Sequence, residues 1–155
     1  MSVDPITCHI LDTTQGKPAS NVICQIFYIS ELHDVNYESD VTVEVLPKPF
    51  GMNRTDADGR IKNWILDPKL NTTELESLGA TKASSSTGKI NWTTLKPGIY
   101  RVKFFTGAYF RVLKDPQRTF FPFVEITFAV DNPPDNHYHI PLLLSNHSYT
   151  TYRGS

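Results

Sequence analysis

The chain has 155 residues, the length of a single domain, and at that size folding buries roughly 68–70% of the unfolded surface. Apolar residues make up 39%, charged residues 20%, and the net charge is −1, the profile of an ordinary globular protein. That balance excludes a protein that holds nucleic acid or an anionic membrane by net charge, so neither partner is expected.

In chain order the sequence reads as β. "ITCHILD" alternates, with Ile6, Cys8 and Ile10 of one parity and Thr7, His9 and Leu11 of the other. The stretch "MSVDPITCHILD" has no charged-then-apolar signal pattern, and no apolar run is long enough to span a bilayer. An intracellular protein is therefore expected, with Asn-x-Ser/Thr triplets at Asn53, Asn71, Asn91 and Asn146 as bystanders. "TTQGKPASN" carries turn chemistry, and "VICQIFYIS" is a second strand. Cys8 and Cys24 both fall in apolar alternating stretches and read as buried free thiols; a disulfide or a catalytic thiol is the alternative.

A polar connection, "ELHDVNYESD", leads to an alternating strand, "VTVEVLP". "TDADGR" is a turn with Gly59 where positive φ is needed, and "RIKNWIL" follows as a short strand. From Asp67 to Pro97 the composition shifts to Thr, Ser, Asn and Gly, which predicts a long surface insertion, disordered or functional, whose removal spares activity. Within it "TTELESLG" has the pattern of a short helix capped by Thr72 or Thr73. "GIYRVKFFTG" is a strong strand, and "AYFRVLKD" spans about two helical turns ending before Pro116. "FVEITFAV", "HYHIPLLLS" and "YTTYRGS" complete about eight strands, the pattern of a β-sandwich or barrel.

Strand parity separates the histidines from the core. In "HYHIPLLLS" the inner parity is Tyr138, Ile140, Leu142 and Leu144, so His137 and His139 face away from it. His9 does the same in the first strand. Leu11 and Leu143 share this outward face, which predicts cover by another subunit. Two same-face histidines at i, i+2 are also a candidate metal chelate, but no Asp, Glu or Cys clusters with them in sequence, and no metal is expected. His33 and His147 lie in loop-like contexts and read as ordinary polar residues.

"CHILDTTQGKPA", "TDADGR", and "HYHIPLLLS" with "YTTYRGS", in that order, resemble the transthyretin-related 5-hydroxyisourate hydrolases. The resemblance spans residues 1–155 as one domain, apart from the insertion at 67–97, and its most specific mark is the terminal Tyr152-Arg153-Gly154-Ser155. It implies an all-β, transthyretin-like sandwich of two four-stranded sheets with one short helix, assembled as a homotetramer, a dimer of dimers. It further implies that the strands bearing His9, Arg60, His139 and the tail share one sheet, with the active sites in the channel between dimers.

The implied reaction is hydrolysis of 5-hydroxyisourate to 2-oxo-4-hydroxy-4-carboxy-5-ureidoimidazoline, a step of urate degradation in purine catabolism. The residue types suit it: a neutral imidazole takes a proton from attacking water, and a planar guanidinium holds developing oxyanion charge. On this resemblance His9, Arg60 and His139 are the catalytic candidates. Tyr152 and Ser155 join them in binding substrate, and His137, Arg153 and Gly154 support the site. No metal or organic cofactor is required, and the cytosol and the peroxisome both fit the chemistry. Two other readings remain: a non-enzymatic ligand carrier on the transthyretin fold, and an adhesive or structural β-sandwich. Fold alone does not separate these; the outward histidines, Arg60 and the terminal Tyr-Arg-Gly-Ser favour the hydrolase.

Overall fold

The computed structural model describes residues 3–32, 48–82 and 89–155. The expected strand "VTVEVLP", His33 and the centre of "TKASSSTGK" lie outside these residues.

In chain order the elements are β1 (Ile6–Asp12), β2 (Lys17–Pro18), β3 (Ile23–Ser30), β4 (Gly51–Arg54), β5 (Arg60–Ile61), β6 (Ile65–Leu66), α1 (Thr72–Leu78), β7 (Ala80–Lys82), β8 (Ile90–Trp92), β9 (Gly98–Phe104), α2 (Thr106–Arg111), β10 (Val124–Val130), β11 (Tyr138–Leu144) and β12 (Tyr149–Thr151). One five-stranded sheet has the order β12-β11-β1-β2, with β5 also paired to β1. The other runs β10-β9-β3-β4-β6, and β7 and β8 form a separate hairpin. The β-sandwich is as expected; short strands bring each of its two sheets to five strands, and α1 and α2 fall in the two stretches read as helical.

Alternation builds the core between the sheets. Ile6, Cys8, Ile10, Ile140 and Leu142 are buried from one sheet, and Cys24, Ile26, Tyr100, Val102, Phe104 and Val124 from the other. Cys8 and Cys24 are free buried thiols, and burial pushes the Cys24 thiol well above its ordinary range. β1 and β11 pair in parallel over their whole length, setting Thr7 opposite His139 and His9 opposite Pro141.

Three local expectations are corrected. "RIKNWIL" is not one strand: β5 joins the first sheet and β6 the second. The chain bends between them because the Asp4 carboxylate accepts the Trp64 N–H at 2.5 Å, while the Trp64 indole donates to the Ile6 carbonyl at 2.9 Å. α2 starts at Thr106 and ends at Arg111, earlier than "AYFRVLKD" suggested. Its buried side chains, Tyr109 and Phe110 among them, lie inside that span, whereas Val112 beyond it is 78% exposed. α1 is capped by Asn71 rather than Thr72 or Thr73: its side chain accepts the Glu74 N–H at 2.8 Å, and the Glu74 carboxylate accepts the Asn71 N–H at 3.1 Å.

The segment from Asp67 to Pro97 also departs from a plain surface insertion. Leu75, Leu78, Ala80, Trp92 and Leu95 join the same apolar cluster as the two sheets. Trp92 is 4% exposed, meets Phe50 edge-on at 5.4 Å and donates its indole N–H to the Leu78 carbonyl at 3.0 Å. Removing this segment therefore opens the core. Trp92→Ala is expected to cost about 3–5 kcal/mol, read as a lower midpoint at unchanged slope in urea unfolding.

Among the described residues no helix is long and apolar enough to cross a membrane.

Candidate active site

The outward face of the first sheet gathers the candidate residues from four separate segments. β1 supplies Thr7 and His9, β5 supplies Arg60, β11 with the residue before it supplies His139 and His137, and the tail supplies Gly154 and Ser155. Arg60 is the direct β-pair partner of His9. Its position depends on the preceding turn, where the Asp56 carboxylate accepts the backbone N–H groups of Asp58 at 2.9 Å and Arg60 at 3.0 Å. Gly59 has φ +74° and its carbonyl accepts the Ile10 N–H at 2.8 Å, so the turn is stitched directly to the strand carrying His9.

The three rings form a near-parallel row. The His9 and His139 ring centroids lie 6.5 Å apart at an interplanar angle of 27°, and those of His137 and His139 lie 6.2 Å apart at 23°. The Thr7 hydroxyl sits between the last two, 2.7 Å from His139 Nδ1 and 2.9 Å from His137 Nε2. Burial first, and then the Arg60 guanidinium, push the His9 and His139 imidazoles below their ordinary value; His137 and His9 push His139 further in the same direction. Both rings are thereby kept neutral and able to accept a proton near neutral pH.

Arg60, Lys62, His137, His139 and Ser155 border a cleft of about 200 Å³, with Thr7 at its wall. That is below the usual range of drug-sized ligand pockets and suits a small molecule. A larger groove of about 430 Å³ lies beside α2, but its charged groups, Lys17 and Arg54, have no titratable partner of the histidine kind. Chemistry rather than size therefore selects the cleft. Among the described residues no group of three or more His, Cys, Asp or Glu side chains is arranged to hold a metal ion.

The tail is anchored at two points. The Gly154 N–H donates to the His139 carbonyl at 3.0 Å. Arg153 turns away from the cleft, pairing with Asp135 at 2.6 Å and lying over the Tyr138 ring at 4.6 Å. A Cβ on Gly154 would come within 2.6 Å of His139 Cδ2 and 3.1 Å of Pro141 Cγ, so only glycine lets the tail lie against this ring. Gly154→Ala is expected to displace Ser155 or the His139 ring and to lower kcat about tenfold or more, since small misplacements near reacting groups are costly. Steady-state kinetics beside an unchanged unfolding midpoint check it.

His9, Arg60, His137, His139, Gly154 and Ser155 lie together on this face. His9 stands beside the cleft rather than on its lining. Tyr152 is the departure: it is 58% exposed and does not border the cleft of its own chain. Thr7 is the residue that sequence reasoning passed over. Its signal was present, a hydroxyl two residues before His9 on the same outward parity.

Residues 6–154 match the HIUase/Transthyretin family. The chain is 33% identical over 150 residues to a probable 5-hydroxyisourate hydrolase of Schizosaccharomyces pombe, covering 97% of this chain and 90% of that protein. In structure it resembles sea bream transthyretin, solved in complex with thyroxine, with a TM-score of 0.62 at 25% identity, covering 97% of this chain and 94% of that one. It also resembles the Klebsiella pneumoniae 5-hydroxyisourate hydrolase, with a TM-score of 0.60 at 22% identity and full coverage of both chains. A transthyretin solved with thyroxine and a 5-hydroxyisourate hydrolase thus share this fold.

Proposed function

The chain belongs to the HIUase/Transthyretin family, and from that premise we propose that its cleft carries out the hydrolysis of 5-hydroxyisourate, opening the six-membered ring to 2-oxo-4-hydroxy-4-carboxy-5-ureidoimidazoline in urate degradation. The observation that carries this reading is the juxtaposition of Arg60 and His139 on the lining of a small cleft that Ser155 borders, with His9 beside it and both imidazoles pushed below their ordinary value. A hormone-type carrier has no use for neutral bases beside a fixed cation.

In this reading water attacks a ring carbonyl and His139 takes its proton, because His139 borders the cleft and its Nδ1 is already engaged by Thr7. His9 is the other member of the acid–base pair. Arg60 binds the substrate and holds the oxygen on which negative charge develops, in a setting less screened than open water. Ser155 orients the substrate at the cleft mouth. No step calls for a metal or an organic cofactor. Leu11 and Leu143, half-buried on the same face as the site, support a homotetramer in which two dimers cover this face. Tyr152, exposed in the single chain, is then placed to meet a neighbouring subunit. The cytosol or the peroxisome is the compartment this reaction suits.

The test generates 5-hydroxyisourate from urate with urate oxidase and follows its ultraviolet decay with and without the protein. Acceleration well above spontaneous decay is expected. Decay at the spontaneous rate sinks the hydrolase in favour of the carrier. Light scattering on the same sample reads the oligomer.

A further inference from the structure

We propose that Thr7 is a positioning residue for this reaction: its hydroxyl couples the tautomer of His139 to that of His137, so that the two imidazoles share one proton chain. The inference rests on the hydrolase reading for its catalytic meaning, but the tautomer itself is independent of any substrate.

A threonine hydroxyl has one proton to donate and lone pairs to accept. Here it faces a ring nitrogen on each side, His139 Nδ1 at 2.7 Å and His137 Nε2 at 2.9 Å, and Thr7 is only 6% exposed. Two neutral arrangements satisfy every group. In the first, His139 Nδ1–H donates to the hydroxyl and the hydroxyl donates to His137 Nε2, leaving a lone pair on His139 Nε2. In the second, all three protons are reversed, and His139 Nε2 carries the proton. The first makes His139 a base toward the cleft; the second makes it an acid.

The same chain moves charge during turnover with atoms balanced. When His139 Nε2 takes a proton from water, the ring holds two N–H groups and a positive charge beside Arg60. Passing the Nδ1 proton to the Thr7 oxygen, while the Thr7 proton passes to His137 Nε2, leaves His139 neutral with its proton on Nε2. The charge then rests on His137, and His139 Nε2 gives its proton to the departing ring nitrogen as the chain runs back and a proton re-enters at Nδ1, so that no imidazolate forms. Returning the protons by the same route restores the start. The register explains why threonine fills this role: Thr7 lies directly opposite His139 in the parallel pairing of β1 and β11.

The test compares Thr7→Val, which keeps the shape and loses the hydroxyl, with Thr7→Ser, which keeps the hydroxyl. Thr7→Val is expected to lower kcat about ten- to hundredfold with little change in KM, the cost typical of removing a partner that orients a histidine. Thr7→Ser is expected to restore most of that loss. Nitrogen NMR of the histidine rings is expected to show His137 and His139 protonated at the same ring position, both Nδ1 or both Nε2, in the wild type and in Thr7→Ser, and to lose that correlation in Thr7→Val. Should Thr7→Val fold poorly, Thr7→Ala carries the same comparison against Thr7→Ser. An unchanged correlation and full kcat in the hydroxyl-free variant overturn the proposal. If the wild type fails to hydrolyse the substrate, the hydrolase reading falls alone, and the ring tautomers still decide whether Thr7 positions His139.

Discussion

His139→Ala is expected to lower kcat for 5-hydroxyisourate hydrolysis by about 10²–10⁴, the range for losing a positioned general base. The size follows from how completely the structure commits this ring. One nitrogen is held by Thr7, its carbonyl is held by the Gly154 N–H, and the ring borders the cleft. The pH dependence carries a second, sharper expectation. Burial and the Arg60 guanidinium depress the folded-state pKa, so the neutral, active form persists below the ordinary histidine value of about 6.5. The acid limb of kcat/KM should therefore fall at lower pH than an unperturbed imidazole would set. A full rate in folded His139→Ala, or an acid limb above the ordinary value, refutes the assignment. The depressed pKa has a stability consequence of fixed sign. The unfolded chain binds the proton first on acidification, so His139 and His9 weaken the fold as pH drops through the unfolded value toward the folded one.

Arg60→Ala is expected to cost about 10²–10³ in kcat, comparable to deleting an oxyanion-binding donor. It also has a readout that simple loss of substrate affinity would not produce. The guanidinium lowers the pKa of both His9 and His139, so its removal should move both ring titrations upward toward the ordinary value. Proton NMR of the histidine ring signals measures this without substrate. Arg60→Lys keeps the charge but loses the planar fork, and should hold the titrations near their wild-type positions while recovering only part of the rate. Unmoved titrations in Arg60→Ala would show that the cation is too far or too screened to act on the rings.

Much of the fold was legible because strand patterning is local. Ile6, Cys8 and Ile10 are buried as their parity requires, and Tyr138, Ile140, Leu142 and Leu144 likewise. The outward histidines were legible by the same rule, and the end motif pointed to the tail. What local pattern missed depended on distant groups. "RIKNWIL" reads as one strand until the Asp4 carboxylate captures the Trp64 N–H and turns the chain. The Thr- and Ser-rich composition of Asp67–Pro97 concealed Leu75 and Trp92, whose burial comes from packing against the sheets rather than from their neighbours in sequence. Tyr152 shows the reverse: the motif named it, but the single chain leaves it in solvent.

By itself the sequence determined which side chains leave the core together, because a period of two assigns faces within each strand whatever lies beside it. It also determined the turn that delivers Arg60, since Asp56 and Gly59 act within a few residues. Only the tertiary structure decided which outward residues meet. The parallel register of β1 on β11 brings Thr7 to His139 across 132 residues of chain, and β5 on the other side of β1 sets Arg60 against His9. Those pairings are long-range choices of partner and register, made by burying both sheets against one core, and nothing in the local pattern of either strand contains them.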